Sequence, residues 1–219
     1  MLDPLMRRIV DPPLRRAAGF VAGRGISADM VTLAAFALGL AAAACVAAGW
    51  FWAALALLLL NRLGDGLDGA VARLGTPTDR GAYLDIVLDF VFYALMALGF
   101  ALAAPENAQA ASFLLAAFMG TAASFLAYAI LAGKRGLSTD RRGRKSFFHL
   151  GGLTEGTETI GFLVLACLLP QYFALFAWIF GTACWLTTGS RVLAGWRDFR
   201  EPAPAAAAAA EPRRTRTDG

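Results

Sequence analysis

Charge is scarce in this chain. Asp, Glu, Lys and Arg make up 16% of its 219 residues, against roughly 25% in soluble globular domains, while hydrophobic residues make up 58%. A soluble globule with a charged shell is excluded, and an integral membrane protein is implied. Histidine occurs once, as His149, and cysteine three times, as Cys45, Cys167 and Cys184. The cysteines fall in apolar stretches without paired spacing, so they read as small core or lipid-facing residues rather than as a disulfide framework. No cleavable signal peptide is expected either: the opening MLDPLMRRIVDPPLRRAAGFVAGRG alternates apolar pairs with arginines and is interrupted by Pro12 and Pro13. That pattern predicts one or two short amphipathic helices on the membrane surface within an interfacial segment 1–28.

What is present is a series of long apolar runs. Spans of about 20 apolar residues are expected near 30–48, 50–73, 81–104, 109–133, 157–170 and 172–195. The fold class is therefore all-α, with six transmembrane helices forming one domain over residues 1–200 and a disordered Ala/Pro/Arg tail over 201–219. Basic residues are absent from the turns near Gly49, Pro105 and Pro170. Apart from Arg62, which lies well inside the second span, they collect before the first span, from Arg73 at the end of the second span to the third, after the fourth, and from Arg191 near the close of the sixth onward. Because cytoplasmic loops retain Lys and Arg, both termini are expected to be cytoplasmic. The net charge of +4 reads as attraction to an anionic leaflet, with no nucleic-acid partner. Ser27 is placed to cap a helix beginning near Asp29, whose carboxylate suits the positive end of the helix dipole.

Against this apolar background stand four aspartates, Asp65, Asp68, Asp85 and Asp89, in the run NRLGDGLDGAVARLGTPTDRGAYLDIVLDF. A carboxylate at membrane depth costs about 2.5 kcal/mol or more unless it faces a polar cavity or a partner, so four in neighbouring helices need a shared reason. Spacings of i, i+3 and i, i+4 put one pair on one face of each helix. A loop of about seven residues predicts antiparallel, adjacent packing that brings the pairs together near the cytoplasmic mouth. A bound divalent cation accounts for the cluster, and hard oxygen ligands without nearby His or Cys favour Mg²⁺ or Mn²⁺ over zinc. Gly64, Gly66, Gly69, Ala70 and Ala72 surround the first pair. For Gly66 and Ala70, close helix packing and room for a bulky ligand read equally well.

These residues resemble the CDP-alcohol phosphotransferase family, whose pattern D-x2-D-G-x2-A-R-x8-G-x3-D-x3-D is matched here by Asp65, Asp68, Gly69, Ala72, Arg73, Gly81, Asp85 and Asp89. The one departure is a Arg73-to-Gly81 spacing shorter by a residue, which leaves both Asp pairs intact. The segment GISADMVT is similar to the family's entry to its first span. The resemblance implies transfer of a substituted phosphate, such as phosphatidyl from CDP-diacylglycerol, to an alcohol with release of CMP in phospholipid biosynthesis. It further implies that Asp65, Asp68, Asp85 and Asp89 hold Mg²⁺ or Mn²⁺, with two ions expected, and that Asp89 is also the general base. Gly69, Ala72, Arg73 and Gly81 would meet the CDP donor. The expected setting is the inner membrane of a bacterium, with a CDP-linked lipid donor, a small or phosphorylated alcohol and membrane lipids as partners, and a homodimer as the assembly.

The remaining polar stretch, KRGLSTDRRGRKSFFHLGGLTEGTETIGF, sets six basic residues beside Glu155 and Glu158. A solvated basic loop is one reading; the sharper one has Arg144, Lys145 or Arg191 binding a phosphate on the acceptor, with GGLTEGTET shaping the pocket mouth. His149 reads as structural, and Trp50, Trp52, Trp178, Trp185 and Trp196 as interface anchors. A transporter or ion pathway would also explain intramembrane carboxylates. It predicts acidic residues spread over several helices, whereas all four lie on one pair. A degenerate scaffold would have lost a motif aspartate, and none is lost.

Overall fold

The structure is a computed structural model that describes residues 3–135 and 152–200. Arg144, Lys145, His149 and the tail expected over 201–219 lie outside the described residues. Among the described residues the elements are α1 (Asp3–Ala22), α2 (Ala28–Ala47), α3 (Phe51–Leu74), α4 (Asp79–Ala103), α5 (Ala108–Lys134), α6 (Gly156–Leu168) and α7 (Phe173–Asp198), with 3-10 turns at Pro105–Asn107 and Pro170–Tyr172. The expected all-α membrane fold is observed, and α2 to α7 stand at the six expected positions. The segments Ala28–Ala47, Asp79–Ala103, Pro105–Lys134 and Pro170–Asp198 are long and apolar enough to cross a membrane, and α6 is a shorter apolar helix. α3 differs because its second half carries the charged motif.

α1 runs unbroken through Pro12 and Pro13, where the prolines were expected to interrupt it. Proline's fixed φ near −65° is helical, so the pair removes two N–H donors without forcing the chain off the helical path. The later part of α1 docks on α3, where Leu14 and Ala18 pack with Ala70 and Val71. Gly25, at φ 75°, turns the chain into α2, a conformation that glycine adopts without steric cost. Ser27 then caps α2 as expected, accepting from the Met30 N–H at 3.3 Å, with Asp29 in the first turn.

α2 is the organising element. It packs along both α3 and α4, and those two helices pack chiefly against α2 rather than on each other. This corrects the expectation of direct α3–α4 packing. The physical reason is the content of their facing sides: Arg62 and four carboxylates need polar space that a close helix contact would remove. Small residues let α2 approach both neighbours. A Cβ on Gly64 of α3 would fall 2.7 Å from the Ala35 Cβ, and one on Gly99 of α4 would fall 2.8 Å from the Ala43 carbonyl oxygen.

The apolar core fills the opposite end of the bundle. Phe100 stacks on Phe173 and Phe51 with ring centroids 4.3 and 6.0 Å apart, and Phe162 stacks on Phe180 at 4.7 Å. Leu58, Met96, Leu114 and Leu163 are fully buried among them. Dispersion between close-packed rings and aliphatic chains holds helices together where no hydrophobic drive separates protein from lipid. Most of this core thus lies away from the carboxylates, and Phe92 of α4 links it to them.

Candidate active site

The short loop between α3 and α4 makes the helices antiparallel, so Asp68 and Asp85 stand at equal depth, about 9 Å from their helix ends at ~1.5 Å per residue. Asp65 and Asp89 stand about one turn deeper. Thr78 fixes the start of α4 by accepting from the Gly81 N–H at 3.1 Å. One oxygen each of Asp65, Asp68 and Asp85 can be chosen so that all three lie within 4.8 Å of one another. An octahedral ion with ligand distances of about 2.1 Å sets its oxygens ~3 to 4.2 Å apart, so small side-chain rotations bring these three onto one cation. A void of about 10 Å³ lies among Asp65, Asp68, Asp85, Asp89, Arg62 and Asn61, the room of roughly one water-sized particle. Donor chemistry and space therefore fit a single hard cation.

Asp68 is the most enclosed carboxylate, at 5% exposure. Thr32 of α2 donates its hydroxyl proton to Asp68 Oδ2 at 2.6 Å. Asp89 stands outside the three-oxygen group and is held differently. Its Oδ1 lies 2.7 Å from Arg62 Nη1, and its Oδ2 accepts from the Tyr93 hydroxyl at 3.1 Å. The Arg62 approach is an ion pair without hydrogen-bond alignment, so Asp89 Oδ1 is a buried oxygen lacking a hydrogen-bond donor. Arg62 Nη1 also donates to the Tyr93 oxygen at 3.1 Å and lies 3.6 Å from Asp65 Oδ2.

Beside this cluster, toward the α1–α2 and α3–α4 connections, opens a cavity of about 640 Å³. Its wall includes Gly69, Ala72, Arg73 and Gly81, the residues expected to meet a nucleotide, together with Asp68, Asp85, Asp29, Thr32 and Arg80. The volume falls in the range of about 300–1,000 Å³ typical of small-molecule sites. Asp29 and Arg80 form an ion pair across its mouth. Gly81 leaves space for that pair, since a Cβ there would fall 3.0 Å from Asp29 Oδ1. Gly69 similarly leaves space for Arg73, whose Nη1 would be 3.3 Å from an added Cβ.

The small residues around the first aspartate pair divide accordingly. Gly66 faces α1, where a Cβ would fall 2.7 Å from Leu14 Cδ1, and Ala70 is 2% exposed in the α1–α3 contact. Both serve packing, whereas Gly69 and Ala72 line the cavity. Arg191 is buried in α7, donates to the Thr121 carbonyl oxygen at 3.2 Å and lies over the Phe125 ring. It lines neither the cavity nor the void. Gly151 of the GGLTEGTET segment lies outside the described residues; from Gly152 on, the segment leads into α6 through a Glu155–Glu158 capping box and is tied to α7 by hydrogen bonds to Thr187 from Leu153 and Thr154.

Sequence reasoning missed Thr32, Arg62 and Tyr93. Arg62 carried a signal of its own, a cation inside an apolar span beside acidic groups. Tyr93 continues the i, i+4 series from Asp85 and Asp89. Thr32 had no local signal, because only the tertiary packing of α2 between α3 and α4 sets it against Asp68.

Residues 26–189 match the sequence profile described as CDP-alcohol phosphatidyltransferase. The chain is 53% identical over 197 residues to the inner membrane protein YnjF of Escherichia coli, covering 90% of this chain and 96% of that one. It is 37% identical over 97 residues to the archaetidylinositol phosphate synthase of Methanothermobacter thermautotrophicus, covering 44% of this chain and 46% of that one. Among solved structures, the Mycobacterium tuberculosis phosphatidylinositol phosphate synthase with CDP-DAG bound shares the fold with a TM-score of 0.63 at 21% identity, over 84% of this chain and 93% of that one.

Proposed function

The chain belongs to the CDP-alcohol phosphatidyltransferase family, and from that premise we propose that it carries phosphatidyl from CDP-diacylglycerol to an alcohol through the cavity and carboxylate cluster between α3 and α4. The observation that carries this reading is a shared wall: Thr32, Asp68 and Asp85 line both the nucleotide-sized cavity and the ion-sized void. A donor whose cytidine lies against Gly69, Ala72 and Gly81 has its diphosphate beside the carboxylates. Arg73, on the same wall, offers a planar fork of N–H donors to phosphate or base.

Asp65, Asp68 and Asp85 would hold Mg²⁺ or Mn²⁺, which when bound neutralises diphosphate charge and stabilises the leaving CMP oxygen. Asp89 serves as the base. Its Oδ2 accepts from the Tyr93 hydroxyl and its Oδ1 lies 2.7 Å from Arg62 Nη1, so the carboxylate is fixed in place as the acceptor of the alcohol's proton. The alcohol oxygen forms a bond to the lipid-bearing phosphorus, the bond from that phosphorus to the bridging oxygen breaks, and CMP departs with that oxygen. Positioning and charge stabilisation supply most of the rate in phosphoryl transfer.

The acceptor reading is a phosphorylated alcohol, with Arg191, Arg144 and Lys145 as its cationic site, since the donor already occupies the carboxylate end. The setting is an inner membrane with the α3–α4 loop facing the cytoplasm, supported by the placement of Lys and Arg. Mass spectrometry of products tests the function: purified chain receives CDP-diacylglycerol, Mg²⁺ or Mn²⁺, and a panel of free and phosphorylated alcohols. CMP with a new phosphodiester is expected from at least one alcohol. Absence of both throughout would reject the reading.

A further inference from the structure

Arg62 is the one described residue that brings a fixed positive charge between the deeper aspartates. Its Nη1 lies 2.7 Å from Asp89 Oδ1 and 3.6 Å from Asp65 Oδ2. The side chain is 10% exposed and is gripped along its length. Nε donates to Asn61 Oδ1 at 2.7 Å, Nη1 donates to the Tyr93 oxygen at 3.1 Å, and the guanidinium lies 4.8 Å from the centre of the Phe92 ring. Asn61 is itself fixed by donating to the Ala35 carbonyl oxygen at 2.8 Å. A guanidinium with this many partners is part of the framework, and it cannot lose its charge in a protein.

We propose that Arg62 stands in for a second metal ion: the site takes a single divalent cation on Asp65, Asp68 and Asp85, while Arg62 neutralises Asp89 and the far side of Asp65. Three observations converge on this. The oxygens close enough to share an ion come from Asp65, Asp68 and Asp85, with Asp89 outside the group. The free space between the deeper carboxylates and Arg62 is about 10 Å³, room for about one water-sized particle, so a second ion beside Asp89 would have to displace the guanidinium. A divalent ion drawn to Asp89 would also have to sit beside a buried, permanently charged guanidinium in a poorly screened interior. Arg62 is thus a positioning residue: it holds Asp89 off the metal and, with Tyr93, fixes the orientation of its carboxylate.

The inference rests on the metal-holding role proposed above, and metal stoichiometry separates the two. The purified full-length chain in detergent is titrated with Mn²⁺, with and without CDP, and bound ion is read by electron paramagnetic resonance. One uncoupled Mn²⁺ per chain is expected in both conditions. Asp89→Asn should keep that ion with less than about threefold change in affinity, and Asp68→Asn should lose it. Arg62→Lys should stay at one ion, while Arg62→Gln should admit a second, spin-coupled Mn²⁺. Two ions in the unaltered chain, or one ion still in folded Arg62→Gln, would overturn the inference alone. No ion at all in the unaltered chain would overturn the metal reading and this inference with it. Should Arg62→Gln fail to fold, the stoichiometry of the unaltered chain and the affinity of Asp89→Asn decide, since loss of the ion in Asp89→Asn makes Asp89 a ligand and removes Arg62's role.

Discussion

Thr32 on α2 and Asp68 on α3 are joined by a hydrogen bond of 2.6 Å in a buried setting. The bond ties the most enclosed carboxylate of the cluster to a helix that contributes no charge to it. A neutral donor that fixes one Asp68 oxygen limits the rotation of the carboxylate, as an outer partner does for a metal ligand.

Thr32→Val keeps the shape of the side chain and removes the donor. Outer-partner losses at metal sites cost about 10- to 100-fold in affinity, so a fall of about tenfold in Mn²⁺ affinity is expected, with Thr32→Ser close to the unaltered chain. Titration of Mn²⁺ into the three proteins checks this. An unchanged affinity in Thr32→Val would reduce the bond to a packing detail.

Arg73 lines the cavity beside Gly69. Arg73→Lys keeps the charge and loses the planar fork, so the apparent constant for the CDP donor should rise by about tenfold, the cost of about 1.4 kcal/mol. Steady-state kinetics against donor concentration gives the answer, and a constant unmoved by the change would return Arg73 to a topological role. Gly69→Ala should act in the same direction, because its Cβ would crowd Arg73 Nη1 at 3.3 Å.

Chelation should abolish turnover, and Mg²⁺ or Mn²⁺ should restore it, because the cluster offers hard oxygen ligands alone. CMP release assayed before chelation, after it and on adding each ion is the measurement. Turnover that survives exhaustive chelation would remove the metal from the mechanism.

Arg191→Ala is expected to raise the apparent constant for a phosphorylated acceptor while leaving that for the donor nearly unchanged. The residue is buried and donates to the Thr121 carbonyl oxygen, so thermal stability is measured alongside. If Arg191→Ala and the Arg144–Lys145 double alanine variant both leave acceptor kinetics untouched, the acceptor is not recognised through a phosphate there.

Much of this architecture is legible from residues in sequence. Apolar length located α2, α4, α5 and α7, because the hydrocarbon core selects for it, and shorter or charge-interrupted apolar runs marked α3 and α6. The fixed offsets of Asp65, Asp68, Asp85 and Asp89 revealed which faces carry the cluster, because helix geometry makes offsets of three and four neighbours. The relation between helices was not legible. A short loop sets α3 and α4 antiparallel but does not decide whether a third helix enters between them. Small residues such as Gly64, Ala35 and Gly99 decide that, and in sequence a small residue beside the motif, such as Gly66 or Ala70, reads equally well as ligand space. For the same reason Thr32 and the Arg62–Asp89 pair emerge only when α2 and α4 are in place.

The most direct test of the account is CMP release from CDP-diacylglycerol, followed together with donor binding, in the unaltered chain, Asp89→Asn and Asp68→Asn. The unaltered chain should release CMP in step with phosphodiester formation. Asp89→Asn should lose turnover by about 100-fold or more, the scale of a positioned general base, and still bind donor, whereas Asp68→Asn should lose donor and metal binding together. Equal loss of donor affinity in both variants, or full turnover in Asp89→Asn, would contradict the division of the four aspartates into a metal-holding group and a base.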